Sequence, residues 1–228
     1  MHSAAKTKVN RTPQSKQEKD MTTTAIIGLG NMGRGLAKRL ANNTTDLVLA
    51  GRNLDAVRSF ADTLPRGVLV LDVDAAIARS DIVVLALPFS SALEVAKNPA
   101  LSGKVVVDIT NPLKADFSGL TIGHTTSAAE ELQAAAPSAR LVKAYNTIFA
   151  ELFDHPATDT AKVPVFLAGN DGAAIAAVQQ LVIASGFTVE ETGSLDAARL
   201  LEPLGMLNIR LGFALGKGTG IAPAWHTL

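Results

Sequence analysis

Gly28-Leu29-Gly30-Asn31-Met32-Gly33 is the stretch on which the reading of this chain turns. The apolar run Ala25-Ile26-Ile27 stands before it, and Leu36, Leu40 and Ala41 follow at helical spacing, so the order is strand, glycine turn, helix. In that setting each glycine has a mechanical task. Gly28 permits the tight turn, Gly30 lets the backbone approach a pyrophosphate, and Gly33 lets the helix pack closely on the strand. The helix N-terminus then presents free N–H groups and a positive dipole end to phosphate. The competing reading is a tight strand-to-helix turn that binds nothing.

The next strand, Leu47-Val48-Leu49-Ala50, ends in Gly51-Arg52-Asn53. Sites that prefer NAD place Asp or Glu roughly 20 residues past the glycines to bind the ribose 2′-hydroxyl. Here the strand tip carries Arg52 and no acid. A guanidinium pairs with a 2′-phosphate through a fork of two N–H donors, and a carboxylate repels it. The expected cofactor is therefore NADP(H), against the alternative of a solvated loop arginine and with Asp55 close by in the next helix. Lys38 and Arg39 read as an ordinary solvated helix face.

Beyond Arg52 the alternation continues. Helical spacing covers Leu54 to Ala61, and strands are expected at Gly67–Leu71, Ile82–Leu87 and Lys104–Ile109. Short helices fall between them at Asp74–Arg79 and Ser90–Lys97. Ser127 is the expected cap of a helix, with Glu130 completing a capping box. Arg140–Ala144 and Val163–Ala168 are strands, the second placed at a sheet edge by Pro164. Asp171 caps a helix that Gly186 stops, Phe187–Glu190 is a short strand, and Ser194 to about Leu215 is helical, interrupted at Pro203 and Gly205. This order predicts an α/β fold, a Rossmann-type doubly wound, mostly parallel sheet with a small C-terminal α/β extension. Residues 21–150 form the NADP-binding domain and 151–228 a small C-terminal domain. Ligands in such sheets sit outside the carboxyl ends of the strands, so the loops of interest are Gly28–Gly33, Gly51–Asn53, Leu87–Ser90 and Thr110–Leu113.

Composition narrows the function. Lys and Arg total 21, as do Asp and Glu, and no basic stripe points to nucleic acid. There is no cysteine, hence no disulfide, thiolate ligand or thiol nucleophile. No apolar run approaches the ~20 residues of a membrane span. Residues 1–20 are polar with no apolar core of a secretory signal, and read as a disordered extension ahead of Met21. A cytoplasmic location is expected.

Several stretches in order, namely Gly28–Gly33, Gly51-Arg52, Asp108–Pro112, Ser127–Glu130, Lys143–Ile148 and Val163–Asp171, resemble the F420-dependent NADP reductases. That group includes the NADPH-binding domain of STEAP-type metalloreductases. The resemblance spans roughly residues 22–222 and implies hydride passed between NADPH and a deazaflavin (F420) or flavin (FMN or FAD) ring. By position it places Asn31 and Met32 over the pyrophosphate, Arg52 on the 2′-phosphate and Leu87-Pro88 beside the nicotinamide ribose. It places Asn146-Thr147-Ile148, with Asn111 nearby, at the nicotinamide, and the Met206-Leu207 region over the second ring. Leu29 stands where the F420 enzymes carry Thr, and Asn146 where they carry His.

No acid–base or metal constellation emerges. His2, His124, His155 and His226 are scattered, and Ser90, Ser91 and Ser127 read as helix caps. Hydride transfer between two ring cofactors needs mainly binding and alignment, so no catalytic side chain is assigned. Asn146 either binds a carboxamide or ring carbonyl or bonds its own backbone in a turn. Hydroxyacid dehydrogenases and imine reductases add a long helical domain, for which the roughly 80 residues after the Asn146 turn leave little room. Three functions stand: reduction or oxidation of a small-molecule redox acceptor of the F420 or flavin type, flavin-mediated ferric reduction, and a non-catalytic NADP(H) sensor. Ala197, Leu200, Leu201, Leu204, Leu207, Leu211 and Leu215 present enough apolar helix surface to predict a homodimer.

Overall fold

The computed structural model describes residues 22–42, 46–65 and 67–225. The expectations for residues 1–20 and for His226 lie outside them. Among the described residues, eight strands form one sheet in the order β3-β2-β1-β4-β5-β6-β7-β8. They are β1 (Thr23–Ile27), β2 (Asp46–Ala50), β3 (Leu69–Leu71), β4 (Ile82–Leu85), β5 (Val105–Asp108), β6 (Arg140–Lys143), β7 (Pro164–Gly169) and β8 (Thr188–Glu191). The helices are α1 (Asn31–Ala41), α2 (Leu54–Ala61), α3 (Val73–Arg79), α4 (Phe89–Ala96), α5 (Ala128–Ala135), α6 (Ala157–Thr160), α7 (Gly172–Ala184) and α8 (Ala198–Ile209). All neighbouring strands pair in parallel except β6 and β7. The expected α/β doubly wound sheet, mostly parallel with a small C-terminal α/β extension, is the fold observed.

Alternation along the strands sends side chains to two faces. Ile26, Leu49 and Val84 join Leu36 and Leu40 of α1, Phe60 of α2 and Leu181 of α7 in one core. Ala25, Ile27 and Val83 join Ile77 of α3, Ala92 of α4 and Leu132 of α5 in the other. Both faces are covered, which is why β4, Ala25–Ile27 of β1 and Val105–Val107 of β5 read as continuous apolar runs rather than alternating ones.

Four local expectations need correction. Pro164 does not mark a sheet edge, because β7 lies between β6 and β8. It is tolerated because β6 meets β7 only at Val142–Gly169 and Lys143–Ala168, at the other end of the strand. Nor is the last long helix broken at Pro203 and Gly205: α8 runs through both. Tertiary anchors on either side of the proline override the lost backbone donor. The helix after β4 begins at Phe89 with Pro88, not a serine, at its cap. Finally, Arg39 is not a solvated residue. Its guanidinium donates to the carbonyls of Phe153 (2.7 Å), His155 (2.6 Å) and Leu152 (3.2 Å), and so clamps α1 to the 3-10 turn Ala150–Asp154. Lys38 reinforces that clamp through Asp154 at 3.0 Å.

Candidate functional site

The glycine turn separates its three glycines by task. Gly28 has φ +98°, and a Cβ there would stand 2.4 Å from the Ala86 carbonyl oxygen. A Cβ on Gly33 would stand 2.0 Å from the Gly28 carbonyl oxygen. Both are therefore fixed by the protein's own backbone. Gly30 differs: a Cβ there would meet nothing within 4 Å. It caps α1 without a side chain, and no acid occupies the first turn. The result is an open helix end with unpaired N–H groups and a positive dipole, facing free space. Arg34 braces the turn by donating to the Leu29 carbonyl at 2.9 Å while its guanidinium lies over the Phe60 ring.

Gly51, Arg52 and Asn53 follow β2 beside this turn. Arg52 is exposed and takes part in no hydrogen bond or ion pair among the described residues. Asn53 accepts from Ala56 N–H and caps α2, so its side-chain oxygen already has a structural partner. Leu87 and Pro88 stand at the carboxyl end of β4, with Pro88 exposed at the head of α4.

At the carboxyl ends of β5 and β6 the chain forms a cavity of about 870 Å³. Of the residues anticipated from sequence, Asn31, Met32, Asn111, Asn146, Thr147, Ile148 and Met206 line it. Gly28, Leu29, Gly30, Gly33, Gly51, Arg52, Asn53, Leu87 and Pro88 lie outside its lining, along the strand ends. Leu207 turns away and is half exposed. Phe117, Phe149, Asn208, Arg210 and Phe213 also line the cavity and were not anticipated. Phe149 and Phe213 meet edge to face at 5.5 Å. These residues come from segments far apart in sequence, so no local pattern announces them.

The turn that forms the cavity floor is strained. Tyr145 is buried with φ +57°, the left-handed region that side chains rarely occupy. Such a conformation costs on the order of 1–3 kcal/mol and persists only where the surroundings hold it. Here the Tyr145 hydroxyl is 3.1 Å from Ser185 Oγ, and its ring lies against Phe153. Burial pushes the Tyr145 phenol well above its ordinary value, so it stays protonated. The turn sets Asn146 into a brace with Asn111: Asn111 Nδ2 donates to the Asn146 carbonyl at 2.7 Å, and Asn146 Nδ2 donates to Asn111 Oδ1 at 3.0 Å. Asn146 Nδ2 also donates to the Leu201 carbonyl at 2.9 Å. Two acceptors thus fix which end of the amide is nitrogen. Asn146 Oδ1 and Thr147 Oγ1 are left buried with no partner. Of the two sequence alternatives for Asn146, the local turn bond to its own backbone is not what its side chain makes.

Beneath the brace lies a buried ion cluster that sequence reading missed. Lys143 is fully buried, and Nζ donates to Asp108 Oδ2 (2.8 Å), Glu202 Oε1 (2.8 Å) and the Thr110 carbonyl (2.6 Å). Glu202, on α8, also accepts from the backbone N–H groups of Ala128 (2.9 Å) and Ala129 (3.2 Å) at the head of α5. The positive end of α5 therefore compensates the second carboxylate. Ser127 caps α5 as expected, accepting from Glu130 N–H. The Glu130 carboxylate, however, is held by Arg199 and the Ser127 hydroxyl. The Arg199 guanidinium keeps the Glu130 carboxyl below its ordinary value. Among the described residues, no cluster of His, Asp and Glu could hold a metal ion, and no helix is long and apolar enough to cross a membrane. His124 and His155 do not line the main cavity.

Residues 23–112 match the family model described as NADP oxidoreductase, coenzyme F420-dependent. A solved protein from Arthrobacter sp. FB24, provisionally named an F420-dependent NADP-reductase, is 31% identical. The match covers 87% of this chain and 96% of that one, with a TM-score of 0.75. Metalloreductase STEAP3 of Rattus norvegicus is 29% identical over 189 residues, 82% of this chain and 37% of its own length. An imine reductase from Aspergillus terreus solved with NADPH4 shares the fold at 19% identity, TM-score 0.64, covering 86% of this chain and 63% of that one. The chain spans well under half the length of the curated relatives it matches.

Proposed function

The chain belongs to the family of F420-dependent NADP oxidoreductases, and from that premise we propose that it passes hydride between NADPH and a deazaflavin or flavin ring held in the cavity beside Asn146. The observation that carries this reading is the pair of buried, unpartnered acceptors, Asn146 Oδ1 and Thr147 Oγ1, on residues that line a largely apolar cavity. Buried polar atoms are nearly always bonded; Thr24, Ser80 and Thr110 also carry unpartnered buried hydroxyls, but of the five residues only Asn146 and Thr147 line the cavity, where a ligand would meet them. A carboxamide brings the N–H donors that such oxygens lack. At the other end, the open space over Gly30 and the head of α1 suit a pyrophosphate, and Arg52, unpaired among the described residues, suits a 2′-phosphate. NADPH supplies the hydride and needs no proton relay from the protein. The residues here bind and align: the Asn111–Asn146 brace orients the nicotinamide, and Met206, Phe149, Phe213 and Phe117 shape the apolar space for a second ring.

The experiment is stopped-flow oxidation of bound NADPH with F420, FMN, FAD and ferric chelate offered in turn. Oxidation by a ring acceptor is the expected result. STEAP3 carries the name metalloreductase, which favours ferric reduction through flavin as the second reading. Its mark is ferric reduction that requires added flavin. If NADPH binds and no acceptor oxidises it, a redox sensor is the function left. We also expect a cytoplasmic homodimer. Leu200, Leu207, Phe213 and Leu215 are each more than half exposed along α8 and the turn after it, the surface a second copy would cover. Light scattering at micromolar concentration tests this, and a monomer refutes it.

A further inference from the structure

Glu202 occupies a position that its burial alone does not explain. Its carboxylate joins three things: the Lys143 ammonium at 2.8 Å, the head of α5 through Ala128 and Ala129 N–H, and α8, on which it sits. The residue before it, Leu201, offers the carbonyl that holds Asn146 Nδ2. Three residues after it, Gly205 comes so close to the brace that a Cβ would stand 2.7 Å from the Asn146 carbonyl oxygen and 3.0 Å from Asn111. One turn of α8 is therefore fastened to the Asn111–Asn146 brace from below by charge and from the side by contact. The same helix and its continuation carry Met206, Ile209, Arg210 and Phe213 into the cavity wall. Nicotinamide side and acceptor side share one fastening.

We propose that Glu202 is a positioning residue: through Lys143 and the head of α5 it sets α8 against the Asn111–Asn146 brace, and so fixes the nicotinamide relative to the acceptor cavity. This rests on the function proposed above for Asn146. The mechanism is geometric. Leu201 C=O fixes which way the Asn146 amide faces, and with it the position of the unpartnered Oδ1. Reacting atoms must come to roughly 3–3.5 Å, and misplacement by about 1 Å costs on the order of a hundredfold in rate. In Glu202→Gln a donor N–H₂ replaces an acceptor that faces either Lys143 or the α5 N–H groups. One of those contacts becomes donor against donor, and α8 loses its seat. The variant still folds, because Lys143 keeps Asp108 and the Thr110 carbonyl.

A nearby pair provides the control. Arg199 and Glu130 also tie α8 to α5, but at the partly exposed rim, away from Asn146. An effect that only reflects helix–helix attachment will appear in Arg199→Met as well. Two readouts on the full chain decide. The first is calorimetric titration with NADP⁺ and with 2′,5′-ADP, a fragment that lacks the nicotinamide. Glu202→Gln should weaken NADP⁺ about tenfold and leave 2′,5′-ADP within twofold. The second is the single-turnover rate of NADPH oxidation by FMN, which should fall 10–100-fold. Arg199→Met should change neither. If Glu202→Gln aggregates, Gly205→Ala displaces α8 without touching the ion cluster and should show the same split. Equal losses in the Arg199 and Glu202 variants overturn the proposal, as does loss of 2′,5′-ADP together with NADP⁺, or no change at all. If none of F420, FMN, FAD and ferric chelate oxidises NADPH on the wild-type protein and the titration split persists, the hydride-transfer reading fails and the positioning role of Glu202 stands.

Discussion

The two ends of the candidate site are built by different physics. At the glycine turn, a short stretch and the next strand tip do the work: Gly28 and Gly33 meet backbone where a side chain would stand, Gly30 opens onto free space, and Arg52 is unpaired among the described residues. At the Asn146 end, contacts span long sequence separations. Asn111 bonds Asn146, Leu201 holds its amide, and Lys143 joins Asp108 to Glu202. The first end offers a ligand a bare backbone and an exposed charge. The second offers a rigid pocket whose polar groups are already oriented. Binding energy can thus be gathered at one end and alignment imposed at the other, a division that suits the hydride transfer proposed above.

The sharpest contrast comes from Gly30→Val. Its φ of −71° is open to any residue and its Cβ meets no protein atom, so stability should stay near wild type while NADPH titration becomes undetectable. Retained affinity would show that the turn holds no pyrophosphate. The counterpart at the other end is Lys143→Met, which leaves two buried carboxylates without their cation. Removing one partner of a buried pair costs about 3–5 kcal/mol, read in urea unfolding. A loss near zero would mean that the cluster contributes nothing to the second end.

Smaller effects refine the picture. Arg52→Ala should weaken NADPH by about 10–150-fold, the equivalent of roughly 1.5–3 kcal/mol for a charge-assisted bond, with NADH nearly unchanged. Equal losses for both cofactors would break the 2′-phosphate assignment. Asn146→Ala should lower the hydride-transfer rate about tenfold or more, while His124→Ala and His155→Ala stay within about twofold. A thousandfold loss in either histidine variant would reveal a general acid. The smallest effect is a pH dependence at the rim. Arg199 holds the Glu130 carboxyl below the ordinary carboxylate range, so the pair stabilises the fold above that range and its contribution is lost as pH falls through the lowered value. Arg199→Met should be slightly less stable than wild type at pH 7, and the gap should close in acid. A gap that widens in acid would reverse the sign.

Much of this protein was legible as a string. Apolar runs bounded by glycine and proline located most of the strands, because strands buried on both faces are largely apolar; their order in the sheet came from the structure. Gly28, Gly30, Gly33 and Arg52 were readable because their tasks are local, each being a backbone conformation, a close approach or a strand-tip charge. Asn146 was readable as a residue of interest, but not as the partner of Asn111 and Leu201. Pro203 read as a break because backbone chemistry alone says so, and Pro164 read as an edge for the same reason. Asp108 and Lys143 fell within stretches that carried the resemblance, but nothing marked them, with Glu202, as a buried cluster, since a charge in sequence is ordinarily a solvated charge. By itself the sequence determined the parallel α/β sheet, and it supplied the residues on which the proposed phosphate end and the proposed 2′-phosphate contact rest. Only tertiary structure decided the cavity, the orphaned acceptors and the cluster beneath them, because these depend on side chains that meet only when α8 is laid across the ends of β5 and β6.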